Sequence, residues 1–445
     1  MGIKLELTHA CNLRCDFCYT DSPRHTLQRT ADLSDETWRR VVAEAIELGV
    51  VEAVLTGGEP LLRQPLALEL LDALSEAGIA VTLNTNGWFV DERLADRLAA
   101  SPGLTVSVSI DGATPELHDA ARGVPGSWRR AVRAVDLLLE RDVAVTVGHV
   151  VTPLNAPWVP ELLEHLWILG VRSVRLTPVV PVGAASREDG WTVKRRELRR
   201  AVESAAERFG EDFRPVVQSG TAEIIATREG RAPAALLVRP SGSVLIDSLH
   251  PFAFGRVEDG LAECWRRIVS DWRDPEIQQW AGRIRSSRGL AKASVVPYAD
   301  QEPRVGEHSA PRSRKAGAAS PALPRRAHRS TEHRASAGDL PAARRHVLGL
   351  ALARRYRVAP LKWSGDREGD RVVRVLDSGR MCRLNPTAGM LLDQLADASV
   401  GDAAATFAER YPTVPRERVE LDAIRTVRWL ATRGVLRSAT AGAPS

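Results

Sequence analysis

No stretch of the 445 residues holds the ~18 consecutive apolar side chains that a membrane-spanning helix needs. Residues Met1 to Thr8 alternate apolar and polar like a strand and lack the long apolar core of a secretory signal. Residue 6 is Glu6, where a myristoylation signal wants Ser or Thr. These absences predict a cytoplasmic protein with no membrane partner. Cysteine is scarce as well: there are five, at positions 11, 15, 18, 264 and 382. An odd number with three inside eight residues excludes a disulfide framework and points to a metal site in a reducing compartment. Excess charge is small, 61 Lys and Arg against 56 Asp and Glu, a net +5. Ten basic and three acidic residues fall between Arg304 and Arg345, so that segment carries all of the excess and the remainder is near neutral. Charge therefore gives no support to a nucleic-acid partner.

What is present is enough for a sizeable core: hydrophobic residues make up 44% and charged residues 26%, which excludes a wholly disordered or fibrous chain. Short β-branched runs at 3–8, 51–56, 80–85, 104–110, 143–150 and 173–177 alternate with helical periodicity, as at 34–48 behind Ser34 and at 127–140. Six β-α units in a row predict an α/β fold with a parallel sheet, a partial (β/α)6 TIM-type barrel, since a complete barrel needs eight. Strand-like pieces return at 235–238 and 243–246, followed by helices near 261–269 and 274–284. Residues 301–345 are rich in Ala, Ser, Pro and Arg with almost nothing to bury, the composition of a disordered linker. A hairpin at 371–376 and 381–384 and helices at about 386–396, 400–411 and 416–433 then predict a small winged-helix-like α+β domain. The boundaries read as 1–215, 216–290, 291–350 and 351–440.

Cys11, Cys15 and Cys18 stand in a C-x3-C-x2-C loop directly after the first predicted strand. Thiolates so spaced can hold three corners of one iron-sulfur cube and leave the fourth iron without a protein ligand. Structural zinc would want four ligands, with His9 or His25 near enough in sequence to be the fourth. The run Cys11-Asn-Leu-Arg-Cys-Asp-Phe-Cys-Tyr19 resembles the signature of the radical S-adenosylmethionine (radical SAM) superfamily. Thr56-Gly-Gly-Glu-Pro60, Asn84-Thr-Asn-Gly87 and Ser109-Ile-Asp-Gly112 follow at consecutive predicted strand ends, where that family carries its motifs. His118-Asp-Ala-Ala-Arg-Gly123 resembles a segment of its peptide-modifying members, so the resemblance runs from residue 3 to about 180.

That resemblance implies a 4Fe-4S cluster on Cys11, Cys15 and Cys18, with S-adenosylmethionine on the open iron and a 5′-deoxyadenosyl radical that takes a hydrogen atom from the substrate. It places Phe17 near the adenine and Gly57, Gly58 and Glu59 at the methionine ammonium. Ser109 and Asp111 become ribose or carboxylate contacts, and Arg122 a carboxylate contact. Many peptide-modifying relatives add a cysteine-rich extension after the barrel. Residues 216–290 are similar to it in outline without its thiols, so one cluster per chain is expected, with Cys264 and Cys382 as buried small hydrophobes. The C-terminal unit resembles the PqqD-like precursor-peptide recognition domains through Tyr356-Arg-Val-Ala-Pro360, Met381-Cys-Arg-Leu-Asn-Pro-Thr-Ala388, Phe407-Ala-Glu-Arg-Tyr411 and Leu430-Ala-Thr-Arg-Gly-Val-Leu436. In that family a leader peptide adds as a strand to the hairpin edge.

Together these imply a radical SAM enzyme that modifies a ribosomally made precursor peptide, by cross-linking, epimerisation or another change. An external one-electron donor such as ferredoxin or flavodoxin would serve it, since no flavin or ferredoxin domain is visible. The alternatives are a radical SAM enzyme of a small molecule and a DNA-binding iron-sulfur sensor. Against the sensor, the arginines of the last helix alternate with acidic residues, an ordinary solvated pattern.

Overall fold

The computed structural model describes residues 1–22, 32–187, 190–191, 193–210, 212–219, 222–284, 339–364 and 371–440. His25 and most of the expected linker lie outside them. In chain order the elements begin β1 (Gly2–Glu6), α1 (Asp35–Glu47), β2 (Glu52–Thr56), α2 (Gln64–Glu76), β3 (Ala80–Thr85), α3 (Glu92–Ala99) and β4 (Leu104–Ser109). They continue α4 (Pro115–Arg122), α5 (Ser127–Leu139), β5 (Ala144–Val151), α6 (Val159–Leu169), β6 (Ser173–Pro178), α7 (Arg195–Phe209), β7 (Arg214–Val217) and α8 (Ala222–Arg228). Then come β8 (Ala235–Val238), β9 (Ser243–Leu245), β10 (Gly255–Arg256), α9 (Leu261–Asp271), α10 (Pro275–Arg283) and α11 (Asp339–Ala353). The last are β11 (Tyr356–Val358), β12 (Leu361–Ser364), β13 (Arg371–Val375), β14 (Met381–Leu384), α12 (Pro386–Gln394), α13 (Val400–Arg410), α14 (Arg416–Thr432) and β15 (Leu436–Ser438). Among the described residues no helix is long and apolar enough to cross a membrane.

Two compact units form. The first is Met1–Ile79, Val180–Asp189 and Thr221–Pro341; the second is Ala80–Val179, Gly190–Gly220 and Ala342–Ser445. In the first, β1 pairs parallel with β2 on one side and with β8 on the other, and β9 and β10 continue antiparallel from β8. Helix α1 starts where the Ser34 hydroxyl accepts from Thr37 N at 3.1 Å, a cap for an otherwise unpaired donor. Trp38, Val41, Val42 and Ala45 then recur at helical spacing and are fully buried.

In the second unit β3, β4, β5, β6 and β7 run parallel in that order. One face of its sheet carries Val106, Val108, Val147, Val174 and Leu176, all without exposure, and α5 packs on β4 and β5. The alternate residues, among them Thr105, Ser107, Ser109, Thr146, Arg175 and Thr177, point to the other face, since side chains alternate along a strand. The parallel set thus exceeds the six expected strands. Arg214-Pro-Val-Val217, four residues in which no period shows, pairs parallel with β6, and the strand expected at 235–238 pairs parallel with β1.

The C-terminal residues form an antiparallel sheet β12-β13-β14, an antiparallel pair β11-β15 and the helices α11 to α14. The expected linker end at 350 is corrected: α11 begins at Asp339. Ala343, Val347, Leu348 and Ala351 lie on one buried stripe of that helix, a periodicity hidden in sequence by the flanking Ala- and Arg-rich stretch. Nor does this domain hang free of residues 80–179 in its unit. Arg354, buried, donates to Asp136 Oδ1 of α5 through Nη2 at 2.6 Å and Nε at 3.2 Å. Arg428 of α14 donates to the carbonyls of Trp167 and Val171 at the C-terminal end of α6, where unpaired carbonyls and the helix dipole favour a cation. Arg344 pairs with Glu164 at 3.3 Å. Arg354→Ala leaves Asp136 buried without its counter-charge, so urea unfolding is expected to show a loss of about 3 kcal/mol. A loss below about 1 kcal/mol would show that the pair is not buried in solution.

Candidate functional site

In the first unit β1 delivers the chain into the cysteine loop. Beyond Glu6, Leu7 N donates to Thr56 O at 2.9 Å, then Gly58 N to Thr8 O at 2.7 Å and Glu59 N to Ala10 O at 2.8 Å. Residues 8–10, which enter the loop, are therefore zipped to the Gly57-Gly58-Glu59 turn. The glycines are forced: Gly57 has φ +149°, and a Cβ on Gly58 would sit 2.1 Å from Ala10 O. Glu59 is buried, and its Oε1 accepts from Leu61 N at 3.1 Å, which fixes the carboxylate at the start of a 3-10 turn, Pro60–Arg63.

Cys11, Cys15 and Cys18 are each half-buried, and no disulfide joins any of the five cysteines. Leu13 N donates to Cys11 Sγ at 3.4 Å, Cys18 N to Cys15 O at 3.3 Å, and Cys18 Sγ lies 3.1 Å from Thr20 Oγ1. Ala184 N donates to Cys18 O at 2.8 Å, and a Cβ on Gly183 would fall 2.3 Å from Tyr19 O, so only glycine lets that segment seat on the loop. Phe17 is buried. His9, one of the two histidines a zinc site would draw on, has Nδ1 2.8 Å from Asp32 Oδ1, and Thr8 Oγ1 donates to Oδ2 at 2.5 Å. Burial opposes ionisation of Asp32, but these hydrogen bonds outweigh it and hold the carboxyl below its usual range. Among the described residues no three His, Cys, Asp or Glu side chains are gathered as around a bound ion. The fit to an iron-sulfur cube rests on the donor set, three half-buried thiols on one loop whose one carboxylate, Asp16, is exposed, and on the glycine cradle beside it.

Sequence reasoning missed the polar group beside this loop. Tyr19 OH donates to Glu6 Oε1 at 2.9 Å, Lys4 Nζ donates to Ser248 Oγ at 2.7 Å and lies 5.0 Å from the Tyr19 ring centre. Burial, and then the Glu6 carboxylate, raise the Tyr19 phenol well above its ordinary value, so it stays a donor. The available signal was the alternation Ile3-Lys4-Leu5-Glu6, charged residues on one face of a strand whose other face is core.

In the second unit the Ser109-Ile-Asp-Gly112 and His118-to-Gly123 motifs form one buried network. Asp111 has no exposure; Arg122 donates to its Oδ2 at 2.5 Å and Val150 N to its Oδ1 at 2.7 Å. Asp111 N donates to His118 Nδ1 at 3.0 Å and Asn155 Nδ2 to Asp111 O at 3.0 Å. Asp119 accepts from Gly126 N, Ser127 Oγ and Trp128 N at 2.6 to 2.8 Å and so caps α5. A Cβ on Gly112 would meet His118 N at 2.4 Å, which is why α4 can come so close. Asp111 and Arg122, expected at the ligand, are thus tied to each other at the end of β4, whereas Ser109 stands half-exposed on the polar face. Burial, then Arg122, pulls His118 down to about 3, so the ring is neutral and accepts at Nδ1. Because its folded value is depressed below the unfolded ~6.5, this histidine's stabilising contribution is whole above that pH and shrinks as pH falls toward 3. Stability of the wild type should therefore decline from pH 6.5 to 4, and His118→Gln should flatten that slope; an unchanged slope would place the ring in water.

The other two cysteines stay apart from this site. Cys264 is buried, donates to Arg256 O at 3.4 Å, and burial followed by Asp259 pushes its thiol up to about 12. Cys382 is buried in β14.

Residues 5–166 match the radical SAM superfamily model, and residues 371–436 match that of coenzyme PQQ synthesis protein D, PqqD. The chain carries a radical SAM domain and, C-terminal to it, a PqqD domain. It is 30% identical to the AdoMet-dependent heme synthase of Methanosarcina barkeri over 42% of this chain and 53% of that protein. Against the PqqA peptide cyclase of Granulibacter bethesdensis it is 28% identical over 60% of this chain and 73% of the other. Against the mycofactocin maturase MftC of Mycobacterium tuberculosis identity is 34%, over 42% and 46%. The chain spans about half the length of the heme synthases it matches. Among solved structures, Streptococcus suis SuiB bound to S-adenosylmethionine superposes with a TM-score of 0.50 at 18% identity, over 66% of this chain and 71% of that one. That likeness establishes the α/β radical SAM fold.

Proposed function

We propose that this radical SAM protein is a maturase of a ribosomally synthesised precursor peptide. The observation that carries the reading is the union, in one chain, of a three-thiol loop zipped to a Gly-Gly-Glu cradle with a PqqD domain. Cys11, Cys15 and Cys18 would hold one 4Fe-4S cluster, and residues 216–290, whose one cysteine is the packed Cys264, hold none. When bound, cluster and S-adenosylmethionine supply a 5′-deoxyadenosyl radical able to take a hydrogen atom from an unactivated carbon. The chain's own residues bind, orient and exclude water. Gly57 and Gly58 would let the backbone approach the methionine end, and Glu59, held by Leu61 N, would accept from its ammonium. Phe17 would lie against the adenine, and Ser109 would offer a hydroxyl to the ribose or carboxylate. Asp111 and Arg122 act as a positioning pair that fixes the end of β4.

The PqqD domain would bind the leader on the β12-β13-β14 sheet, whose edge strands have open backbone groups for an added strand. Its docking by Arg354 and Arg428 supports delivery of the following core residues toward residues 80–179 of the same unit. The DNA-reading alternative loses support at α14, where Arg416 and Arg418 pair with Glu420 and Asp422 one turn on and Arg428 caps α6. Electrons would come from a separate ferredoxin or flavodoxin in the cytoplasm. Similarity to the heme synthases favours a second reading, a small-molecule substrate. Co-expression with a precursor encoded beside this chain decides: a mass change in the peptide supports the maturase, and reductive S-adenosylmethionine cleavage without peptide binding or mass change overturns it.

A further inference from the structure

On the polar face of the second unit's sheet, Arg175 of β6 crosses β5 to reach β4. Its Nη2 donates to Ser107 Oγ at 2.6 Å. The register makes this crossing possible: Arg175 is paired with Gly148, and Gly148 with Ser109, so the strand between carries no side chain where the guanidinium passes. A Cβ at Gly148 would already stand 3.7 Å from Ser107 Oγ. Among the described residues no carboxylate pairs with Arg175, and burial alone pulls its pKa below the ordinary arginine value. A half-buried guanidinium satisfied by one neutral hydroxyl has most of its five donors unspent.

A second, independent group points to the same place. Asn84 of β3 is paired with Ser107, hence one strand spacing away, ~4.8 Å, on the same face. Its Oδ1 is buried with no hydrogen-bond partner. The face therefore presents a cation wanting an anion and, beside it, an acceptor wanting an N–H. Asn84 and Ser107 lie two residues, ~6.6 Å, inside the strand end from Ser109, and the guanidinium of Arg175, whose backbone is level with Ser109, reaches inward to them.

We propose that Arg175, Ser107 and Asn84 form a carboxylate subsite for an acidic residue of the peptide substrate, the guanidinium taking the carboxylate and Asn84 the peptide N–H. This rests on the maturase reading and names the substrate class that its site accepts. The methionine end of S-adenosylmethionine has the same chemistry, a carboxylate beside an N–H donor. The depth of Ser107 below Ser109, which stands at the strand end with the family motifs, favours the peptide.

The test is calorimetric titration of the reconstituted full chain with N-acetyl-glutamate methylamide and its glutamine counterpart. The glutamate probe is expected to bind about tenfold tighter, the size of a charge-assisted pair. Arg175→Met, and Gly148→Val, which blocks the crossing while keeping the guanidinium, should both erase the preference, with unchanged thermal melting showing that they fold. S-adenosylmethionine affinity should stay within about twofold of wild type in Arg175→Met. Equal binding of the two probes by wild type, or a preference surviving both variants, overturns the subsite. So does a fall in S-adenosylmethionine affinity with the preference intact, which assigns the arginine to the cofactor. Reductive S-adenosylmethionine cleavage, run on the same preparation, reads the maturase chemistry separately: cleavage without a glutamate preference sinks only the subsite, and a preference without cleavage sinks only the enzyme reading.

Discussion

Replacing Cys15 by alanine is expected to abolish reductive S-adenosylmethionine cleavage and to strip the reconstituted protein of its iron and sulfide. The loop has three thiols, no histidine between them and one carboxylate, the exposed Asp16, so loss of one thiol leaves two thiolates for a cube that needs three. The remaining cysteines offer no replacement: Cys264 is packed against Arg256 O with its thiol pushed up to about 12, and Cys382 is buried in a strand of the PqqD domain. Thermal stability should change little, because Cys15 is half-exposed and outside the core. The same substitution at Cys264 should leave iron content and cleavage close to wild type. If Cys15→Ala retained a stoichiometric cluster, or if the wild type bound zinc in preference to iron, the assignment of the loop would be wrong.

The second large effect is expected from one methyl group at Gly58. Its Cβ would stand 2.1 Å from Ala10 O and 2.7 Å from His9 O, both backbone, so no rotamer change can relieve the clash. Residues 8–10 would have to part from the Gly57–Glu59 turn, breaking the bonds from Gly58 N to Thr8 O and from Glu59 N to Ala10 O. Those bonds set where the cysteine loop begins. Gly58→Ala is therefore expected to cost about 3 kcal/mol or more in urea unfolding and at least tenfold in S-adenosylmethionine affinity. Gly282→Ala is the matched control, since its Cβ would meet nothing within 4 Å. Equal stability of the two variants would mean that the turn and the entering strand are not in contact in solution.

The two expectations differ in how they were legible. The cysteine loop could be read from spacing as a candidate metal site, because three thiols in eight residues need no distant partner to bring them together; the preference for a cluster over zinc came from the family resemblance. The glycines could be read as a motif, but the reason for them, a carbonyl of residue 10 pressing on residue 58, exists only once two strands pair. Asp111 and Arg122 show the opposite case. As sequence they resembled ligand contacts, and the fold ties them to each other, with His118 and Asn155 completing a network from three segments. Lys4, Glu6, Tyr19, Ser107 and Arg175 were not singled out, because a polar residue alternating with apolar ones reads as an ordinary solvent face. In the fold Glu6 and Ser107 are nonetheless buried.

By itself, then, the sequence determined what depends on neighbours along the chain: the α/β periodicity, the thiol loop, the capped starts of helices such as α1, and the apolar spacing of the C-terminal hairpin and helices. It determined these because helix and strand periods, caps and close-set ligands are short-range physics. Tertiary structure decided what depends on register between strands and on packing between distant segments. That includes strand β7, the parallel pairing of β8 with β1, helix α11 inside the supposed linker, and the docking of the PqqD domain through Arg354 and Arg428. It also includes the path of Arg175 across Gly148. A single residue of shift in any of those strands would send these side chains to the opposite face, and nothing local in the sequence sets that register.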